Sequence, residues 1–149
     1  MPLDPESPPW IAVARAELGV RPFAAGSINP RIANYHTGTN VEGYDDKISW
    51  CSTFVHWCLG RAGVVGTGSA LARSRLDWGE PLSAPRAGCI GVLWRESRDS
   101  WKGHVAFFVR QTDQHVILLG GNQEGTVQEL AYPLECVLDW RWPTTPELG

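Results

Sequence analysis

The sequence of 149 residues predicts a single α+β domain, with N-terminal helices packed on a central antiparallel sheet of about five strands. In the first half of the chain, apolar residues recur at helical spacing. From Pro85 onward the pattern changes to short apolar or alternating runs separated by turn residues. Hydrophobic residues make up 43% of the chain and charged residues 19%, which is typical of a globular protein with its own core. We expect residues 1–8 and 144–149 to be tails.

Three helices and one or two additional helical turns are predicted before the sheet. The helices cover residues 10–18, 51–59 and 70–78, and the additional turns fall within 29–36. Ser7, Ser49 and Ser69 are the predicted N-caps, because a serine side chain accepts hydrogen bonds from the first-turn N–H groups. Arg73 and Arg75, on the last of these helices, are expected to face solvent.

Five strands are predicted in the second half, at residues 89–94, 104–110, 115–119, 126–132 and 137–142. The second and third of them are apolar at successive positions, so both faces are expected to be covered. These two strands should therefore lie in the middle of the sheet. Between the first helices and Cys51, residues 37–47 are rich in Gly, Asn, Thr and Asp and predict a long loop, which we expect to form one wall of a cleft.

Composition excludes several classes of function. The net charge is −3 without a basic run, which argues against nucleic acid as a partner.

The four cysteines form no C-x-x-C pair, so we expect no metal and no cofactor. Cys51 and Cys58 lie about 10 Å apart on one helix, too far for a disulfide, and all four thiols are expected to be reduced. The acidic, proline-rich start does not resemble a signal peptide, and no segment could insert in a membrane. We expect a monomer made in the cytoplasm, which other proteins must export if its substrate lies outside.

A candidate nucleophile lies in the first turn of the second helix. There Cys51 would experience the positive end of the helix dipole, which favours the thiolate; the alternative is a small buried apolar residue. Among the histidines, His104 opens a buried strand and is the best candidate base. His56 lies on the same helix and points away, His115 begins a strand at its other end, and His36 remains open.

An amide side chain is predicted beside His104. If a hairpin pairs Gln111 with His115, Asn122 on the returning strand falls opposite His104. A slip of one residue makes Gln123 the diagonal neighbour on the same face. An amide oxygen that accepts from one imidazole N–H would fix the tautomer and direct the other nitrogen at the thiol. This reasoning leaves both Asn122 and Gln123 as candidates for the amide beside His104.

Four sequence blocks resemble the bacterial cell-wall branch of the papain-like peptidases, namely the CHAP (cysteine, histidine-dependent amidohydrolase/peptidase) and NlpC-type enzymes. They are similar in particular to a compact phage- and prophage-associated group. The blocks are Trp50–Cys58, Gly66–Ser74, Gly103–Phe108 and Leu118–Gln123. The resemblance implies hydrolysis of an amide bond in the peptide part of peptidoglycan. It also implies that Cys51 is the nucleophile, His104 the general base and Asn122 the orienting residue, with Gln123 as the substitute.

The resemblance also implies an oxyanion hole. We expect it to combine the backbone N–H of Cys51 with a donor from the upstream loop, Tyr35 or Tyr44, and we place Trp50 in the substrate cleft. One departure is that Cys89 stands where relatives carry an aspartate that generally starts the first sheet strand. That aspartate is more structural than catalytic.

The expected function is a peptidoglycan amidase or endopeptidase that acts through a thioester, as a phage lysin or as a secreted antibacterial effector with an immunity protein as partner. It would act in the periplasm or cell wall after delivery by a holin, a phage tail or a secretion system. Two alternatives remain. One is a catalytically silent wall-binding module of the same fold, and the other is a papain-like hydrolase of an amide outside the wall.

Overall fold

The computed structural model describes residues 8–23, 27–42, 49–69, 72–100 and 102–143. In these residues three α-helices come first: α1 (Pro9–Ala16), α2 (Pro30–Tyr35) and α3 (Cys51–Arg61). A 3₁₀ helix, Ala72–Asp77, leads into the sheet. The strands are β1 (Glu80–Leu82), β2 (Ile90–Trp94), β3 (Gly103–Gln111), β4 (His115–Gln123), β5 (Thr126–Pro133) and β6 (Val137–Trp142), with a short 3₁₀ turn at Leu134–Cys136.

The strands form one sheet in the order β1-β6-β2-β3-β4-β5, and every neighbouring pair is antiparallel. The predicted α+β class is thus confirmed, and β3 and β4 lie inside the sheet as expected. The described sheet has six strands where about five were predicted. The additional strand, β1, has only three residues and pairs with β6 at the sheet edge, so it is too short to show an alternating pattern.

The helix predictions need three corrections. Residues 72–77 form a 3₁₀ helix where an α-helix over 70–78 was expected. The N-cap position of α3 is Trp50 instead of Ser49, and the Trp50 side chain makes no capping hydrogen bond within the described residues. The N-cap of α1 is Pro8, and the predicted cap Ser7 lies outside the described residues. None of the helices in the described ranges is long and apolar enough to cross a membrane.

The core has two layers, one on each face of the sheet. The helices cover the first face, where Phe54, Val55 and Leu59 of α3 join Val105 and Phe107 of β3 in one buried cluster. The intervening β3 residues point to the other face and belong to a second cluster, which consists mainly of Cys89, Leu93, Ala106, Phe108, Val116, Leu118 and Trp140. Burial on both faces explains why β3 and β4 read as continuous apolar runs.

A close contact at Gly121 brings the start of α3 against the end of β4. A Cβ at this position would lie 2.8 Å from Phe54 Cβ and 2.8 Å from the Trp50 ring, closer than side chains normally approach. Glycine is therefore needed here for the helix to lie directly on the strand. The contact places the first turn of α3 beside the end of β4, which is where the candidate nucleophile lies.

Of the two arginines of the 3₁₀ helix, Arg75 does not face solvent, so the prediction is wrong for this residue, whereas Arg73 is half-buried. Arg75 is fully buried; its Nη2 donates to the Ser52 carbonyl at 3.3 Å, and its Nε and Nη1 have no hydrogen-bond partner among the described residues. Arg73 donates to three carbonyls of the β2–β3 loop at 2.7 to 2.9 Å, those of Ser97, Arg98 and Lys102. Arg73 thereby fixes the loop that leads into β3.

Candidate active site

Cys51 is the first residue of α3 and is almost fully buried. Burial raises the pKa of its thiol, but the charge of His104 and a hydrogen bond from His104 lower it more. A hydrogen bond from the backbone of Val105 and one from the Ser49 side chain add to this effect, and the resulting pKa is about 7. Ser49, which was predicted as the helix cap, therefore contacts the thiol instead.

His104 is the second residue of β3, and its ring is buried between the thiol and two polar side chains. Its Nε2 lies 2.9 Å from Oε1 of Gln123 and 3.1 Å from the hydroxyl of Tyr132. Because Nε2 is occupied, Nδ1 is the nitrogen left for the thiol. Burial lowers the pKa of His104, but the charge and hydrogen bond of Cys51 and the hydrogen bond of Gln123 raise it overall. The site therefore favours a thiolate paired with an imidazolium.

The amide of Gln123 is held in one orientation. Its Nε2 donates to the carbonyls of Leu118 and Gln128, at 3.0 and 2.6 Å, so its oxygen is the atom that faces His104. The side chain is almost fully buried. An amide fixed in this way can only accept from His104, so it holds the Nε2 proton in place and aims the ring.

A local irregularity in β4 directs Gln123, and not Asn122, at His104. Asn122 has a left-handed backbone with φ of 56°, and the β4–β5 pairing shifts register between Gly120 and Gln123. An additional residue in a strand reverses which face the following side chains take. The sequence had left both amides open with Asn122 preferred, and no hydrogen bond joins Asn122 to His104 in the described structure.

The hairpin between β3 and β4 differs from the register used in that prediction. Gln111 pairs with Val116 instead of His115, and the register shifts between Phe108 and Arg110. Further in, Phe107 pairs with Leu119, which is the offset expected from the sequence. The bulge near the turn therefore shifts the register of the β3–β4 pair by one residue at the turn end, and the inner half of the pair has the predicted register.

Tyr132 was not identified from the sequence. Its ring centroid lies 5.3 Å from that of His104, and burial foremost raises the pKa of its hydroxyl, which therefore stays protonated. Tyr132 is on β5, two strands away from β3. The contact joins side chains of two strands that are not neighbours in the sheet, and no local sequence pattern predicts such a contact.

The predictions for the substrate cleft are mostly wrong. Tyr35 is fully buried, and its hydroxyl donates to Oε1 of Glu17 at 2.7 Å, so it cannot serve as an oxyanion donor. Trp50 is 1% exposed and stacks on Tyr35 in the core, with ring centroids 5.8 Å apart. Both are packing residues. Tyr44 lies outside the described residues.

The other histidines have roles away from the thiol. Nδ1 of His36 lies 3.1 Å from the Thr53 hydroxyl in the core, and Nδ1 of His56 accepts from the Gly68 N–H at 3.3 Å. His115 is exposed at the start of β4. All four cysteines are free thiols. Among the described side chains, no group of three or more His, Cys, Asp or Glu could hold a metal ion.

Helices on one face of an antiparallel sheet, with a cysteine at a helix N-terminus beside a histidine at a strand start, define a papain-like fold. The chain belongs to the CHAP domain family, whose model matches residues 43–122, a little over half of the sequence. The match includes Cys51 and His104 and ends one residue before Gln123. This match confirms the predicted family. CHAP domains are in general amidases or peptidases that act on peptidoglycan. The phage-associated branch stays a prediction. No curated protein matches the chain.

Proposed function

We propose that this protein hydrolyses an amide bond in the stem peptide of peptidoglycan, as an endopeptidase or amidase, with Cys51 as the nucleophile. The observation that carries the proposal is the placement of His104 between the Cys51 thiol, whose pKa it lowers, and Oε1 of Gln123, which lies 2.9 Å from its Nε2. A thiol with a pKa of about 7 is substantially ionised at neutral pH, and the thiolate is the nucleophilic form.

In the proposed reaction, the Cys51 thiolate attacks the carbonyl carbon of the amide and a C–S bond forms. The backbone N–H of Cys51, at the start of α3, stabilises the oxyanion. The His104 imidazolium gives its proton to the leaving nitrogen, the C–N bond breaks, and a thioester and a free amine result. Water then gives a proton to neutral His104 and attacks the thioester. The C–S bond breaks, the Cys51 thiolate leaves, and the ion pair with His104 is restored; the carboxylic acid product then loses its proton to solvent.

Gln123 is the proposed orienting residue of this site. Its oxygen accepts the Nε2 proton of His104, which keeps Nδ1 directed at the thiol and favours the protonated ring after attack. Tyr132 contacts the same nitrogen from the other side. The two contacts limit rotation of the imidazole in both protonation states.

The alternative of a silent wall-binding module depended on Cys89. Cys89 is fully buried in the second cluster, and its Sγ accepts a weak hydrogen bond from the Arg86 N–H at 3.5 Å. Burial raises the pKa of this thiol to about 11. None of the hydrogen bonds that hold Cys51, His104 and Gln123 involves Cys89, so its presence does not argue against catalysis.

The test is mass spectrometry of soluble fragments released from purified peptidoglycan in the presence of a chelator. Wild type is compared with Cys51→Ala and His104→Gln, and His115→Gln serves as the matched histidine control. We expect new amino and carboxyl termini from wild type and His115→Gln alone, and the fragment masses identify the bond. Equal release by Cys51→Ala would overturn the proposal. Saturable binding without new termini would favour the binding module, and cleavage confined to non-wall amides would favour the other hydrolase.

The place of action follows from the proposed substrate. We propose that the protein acts in the cell wall after delivery as a phage lysin or as an antibacterial effector. Production in the bacterial cytoplasm should leave cells intact, whereas the same chain directed to the periplasm should lyse them, with Cys51→Ala as the inactive control. An immunity protein, if one exists, would abolish that lysis when produced in the same compartment.

A further inference from the structure

A pocket opens on the side of His104 that does not face the thiol. Its volume is about 410 Å³, and its lining includes His104 and Tyr132 but not Cys51. This volume falls within the usual range for small-molecule sites. The pocket therefore lies beside the reacting atoms and could hold a neighbouring part of the substrate.

Two charged side chains line this pocket, from different loops. Arg95 follows β2, and Glu124 lies in the turn between β4 and β5. Both are exposed, and neither side chain makes a hydrogen bond or an ion pair within the described part of the chain. The adjacent Glu96, by contrast, is paired with Lys102 at 2.8 Å. The charges of Arg95 and Glu124 are therefore available to a ligand.

The charges of Arg95 and Glu124 both act on the hydroxyl of Tyr132 in the pocket. Burial is the largest cause of the raised pKa of Tyr132; the Glu124 charge raises it further, and the Arg95 charge lowers it. Glu124 has a left-handed backbone with φ of 53°, an unusual conformation for this residue type, which directs it away from the regular path of the strand.

The remainder of the lining is largely apolar. Trp94 is half-buried, and its indole N–H donates to the Glu135 carbonyl at 3.2 Å, which fixes the ring at the wall. Leu93 and Leu130 complete this wall. Apolar walls with one cation and one anion at the rim suit a short hydrocarbon chain that ends in a zwitterion.

We propose that this pocket binds a stem-peptide residue whose side chain ends in an amino-acid group, with an ammonium and a carboxylate on one carbon. Arg95 binds the carboxylate, for which its planar guanidinium is suited. Glu124 binds the ammonium, and Trp94 covers the connecting methylenes. The inference rests on the proposed function, since it names the substrate class that the same site prefers.

The test compares two synthetic stem peptides that differ in one residue. One contains diaminopimelate, whose side chain carries both groups, and the other contains lysine, which lacks the carboxylate. Wild type should cleave the diaminopimelate peptide about tenfold faster or more in kcat/KM, because a charge-assisted hydrogen bond is lost with lysine. Arg95→Gln should remove the preference by slowing only the diaminopimelate peptide, and Arg95→Lys should restore part of it. Glu124→Gln should slow both peptides.

Arg110→Gln is the matched control, because this exposed arginine near the far end of β3 removes the same charge. The proposal is overturned if wild type shows no preference, or if Arg95→Gln slows both peptides equally. Calorimetric binding of both peptides to Cys51→Ala separates this proposal from the proposed reaction. Preferential binding without cleavage by wild type would support the pocket and refute the hydrolase, whereas cleavage without preference would do the reverse.

Discussion

Oε1 of Gln123 lies 2.9 Å from Nε2 of His104, while the side chain of the preceding residue, Asn122, has no hydrogen bond to that ring in the described structure. The left-handed backbone of Asn122 produces this outcome, because it turns the last residue of β4 toward β3. The relationship separates two residues that the sequence alone could not distinguish.

We predict that Gln123→Met lowers kcat on the order of a hundredfold with little change in KM, because the side chain orients His104 without touching substrate. Asn122→Gly keeps the left-handed conformation accessible and should retain activity within a few-fold. Steady-state kinetics on a released peptide fragment measures both effects, with circular dichroism to confirm folding. A larger loss from Asn122→Gly than from Gln123→Met would restore Asn122 as the orienting residue.

The sequence predicted Cys51 and His104 because each position depends on local chemistry, namely the first turn of an apolar helix and the start of a buried strand. Gln123, and not Asn122, lies beside His104 because β4 contains an additional residue. That irregularity depends on the adjoining turn as much as on Asn122 itself. The contact of Tyr132 with His104 could not be predicted, because it joins two strands that are separated by β4.

Tyr35 shows a different limit of sequence reasoning. Its hydroxyl is bound by Glu17, a buried carboxylate that also accepts two hydrogen bonds from Arg31, at 2.6 and 2.7 Å. Glu17 lies at the end of α1 and Arg31 in α2, so the partners are brought together only by helix packing. The family resemblance suggested Tyr35 as an oxyanion donor, whereas its hydrogen bond to the ion-paired Glu17 fixes it in the core.

The thiol of Cys51 should titrate with a pKa of about 7, below the ordinary value of 9.0. A lowered pKa means that the thiolate persists down to about pH 7 and is lost below it. The rate of alkylation by iodoacetamide should therefore rise with pH through about 7 and then level off. In His104→Ala the main interactions that favour the thiolate are absent, so burial should raise the pKa above its ordinary value. An unchanged profile in His104→Ala would contradict the ion pair, and His115→Gln is the control.

The pH dependence of activity should reflect the protonation of the same two residues, Cys51 and His104. It should fall at acid pH as Cys51 is protonated, and at alkaline pH as the imidazolium of His104 is lost. The pKa of His104 is raised, so the alkaline limb should lie above that of an ordinary histidine. A pH profile of kcat/KM measures both limbs. Activity that increases steadily with pH, without an alkaline limb, would contradict a role for the imidazolium.

Gly120→Ala should reduce both stability and activity. A Cβ at this position would lie 2.6 Å from the Ala106 Cβ and 2.9 Å from Oε1 of Gln123. Such overpacking costs about 1–3 kcal/mol, and it displaces the amide that holds His104. Adding Ala106→Gly removes only the first clash, so the double variant should regain stability in urea denaturation while activity stays low. Full recovery of activity would show that Gln123 does not depend on the space at Gly120.

Arg75→Met should raise the free energy of unfolding. Arg75 is fully buried with two nitrogens unpartnered, and burial lowers the pKa of its guanidinium to about 10, which shows the cost of keeping the charge there. An apolar side chain of similar length removes that cost, at the loss of one long hydrogen bond to Ser52 and of the cation–π contact with the Trp78 ring, whose centroid lies 5.1 Å from the guanidinium. We expect the free energy of unfolding, measured by urea denaturation, to increase by about 1–4 kcal/mol.

Arg73→Met is the matched comparison on the same 3₁₀ helix, and the loss of its three carbonyl contacts should cost about 2 kcal/mol. Comparable destabilisation by both substitutions would mean that Arg75 is stabilising where it is, and that its buried charge is compensated in solution.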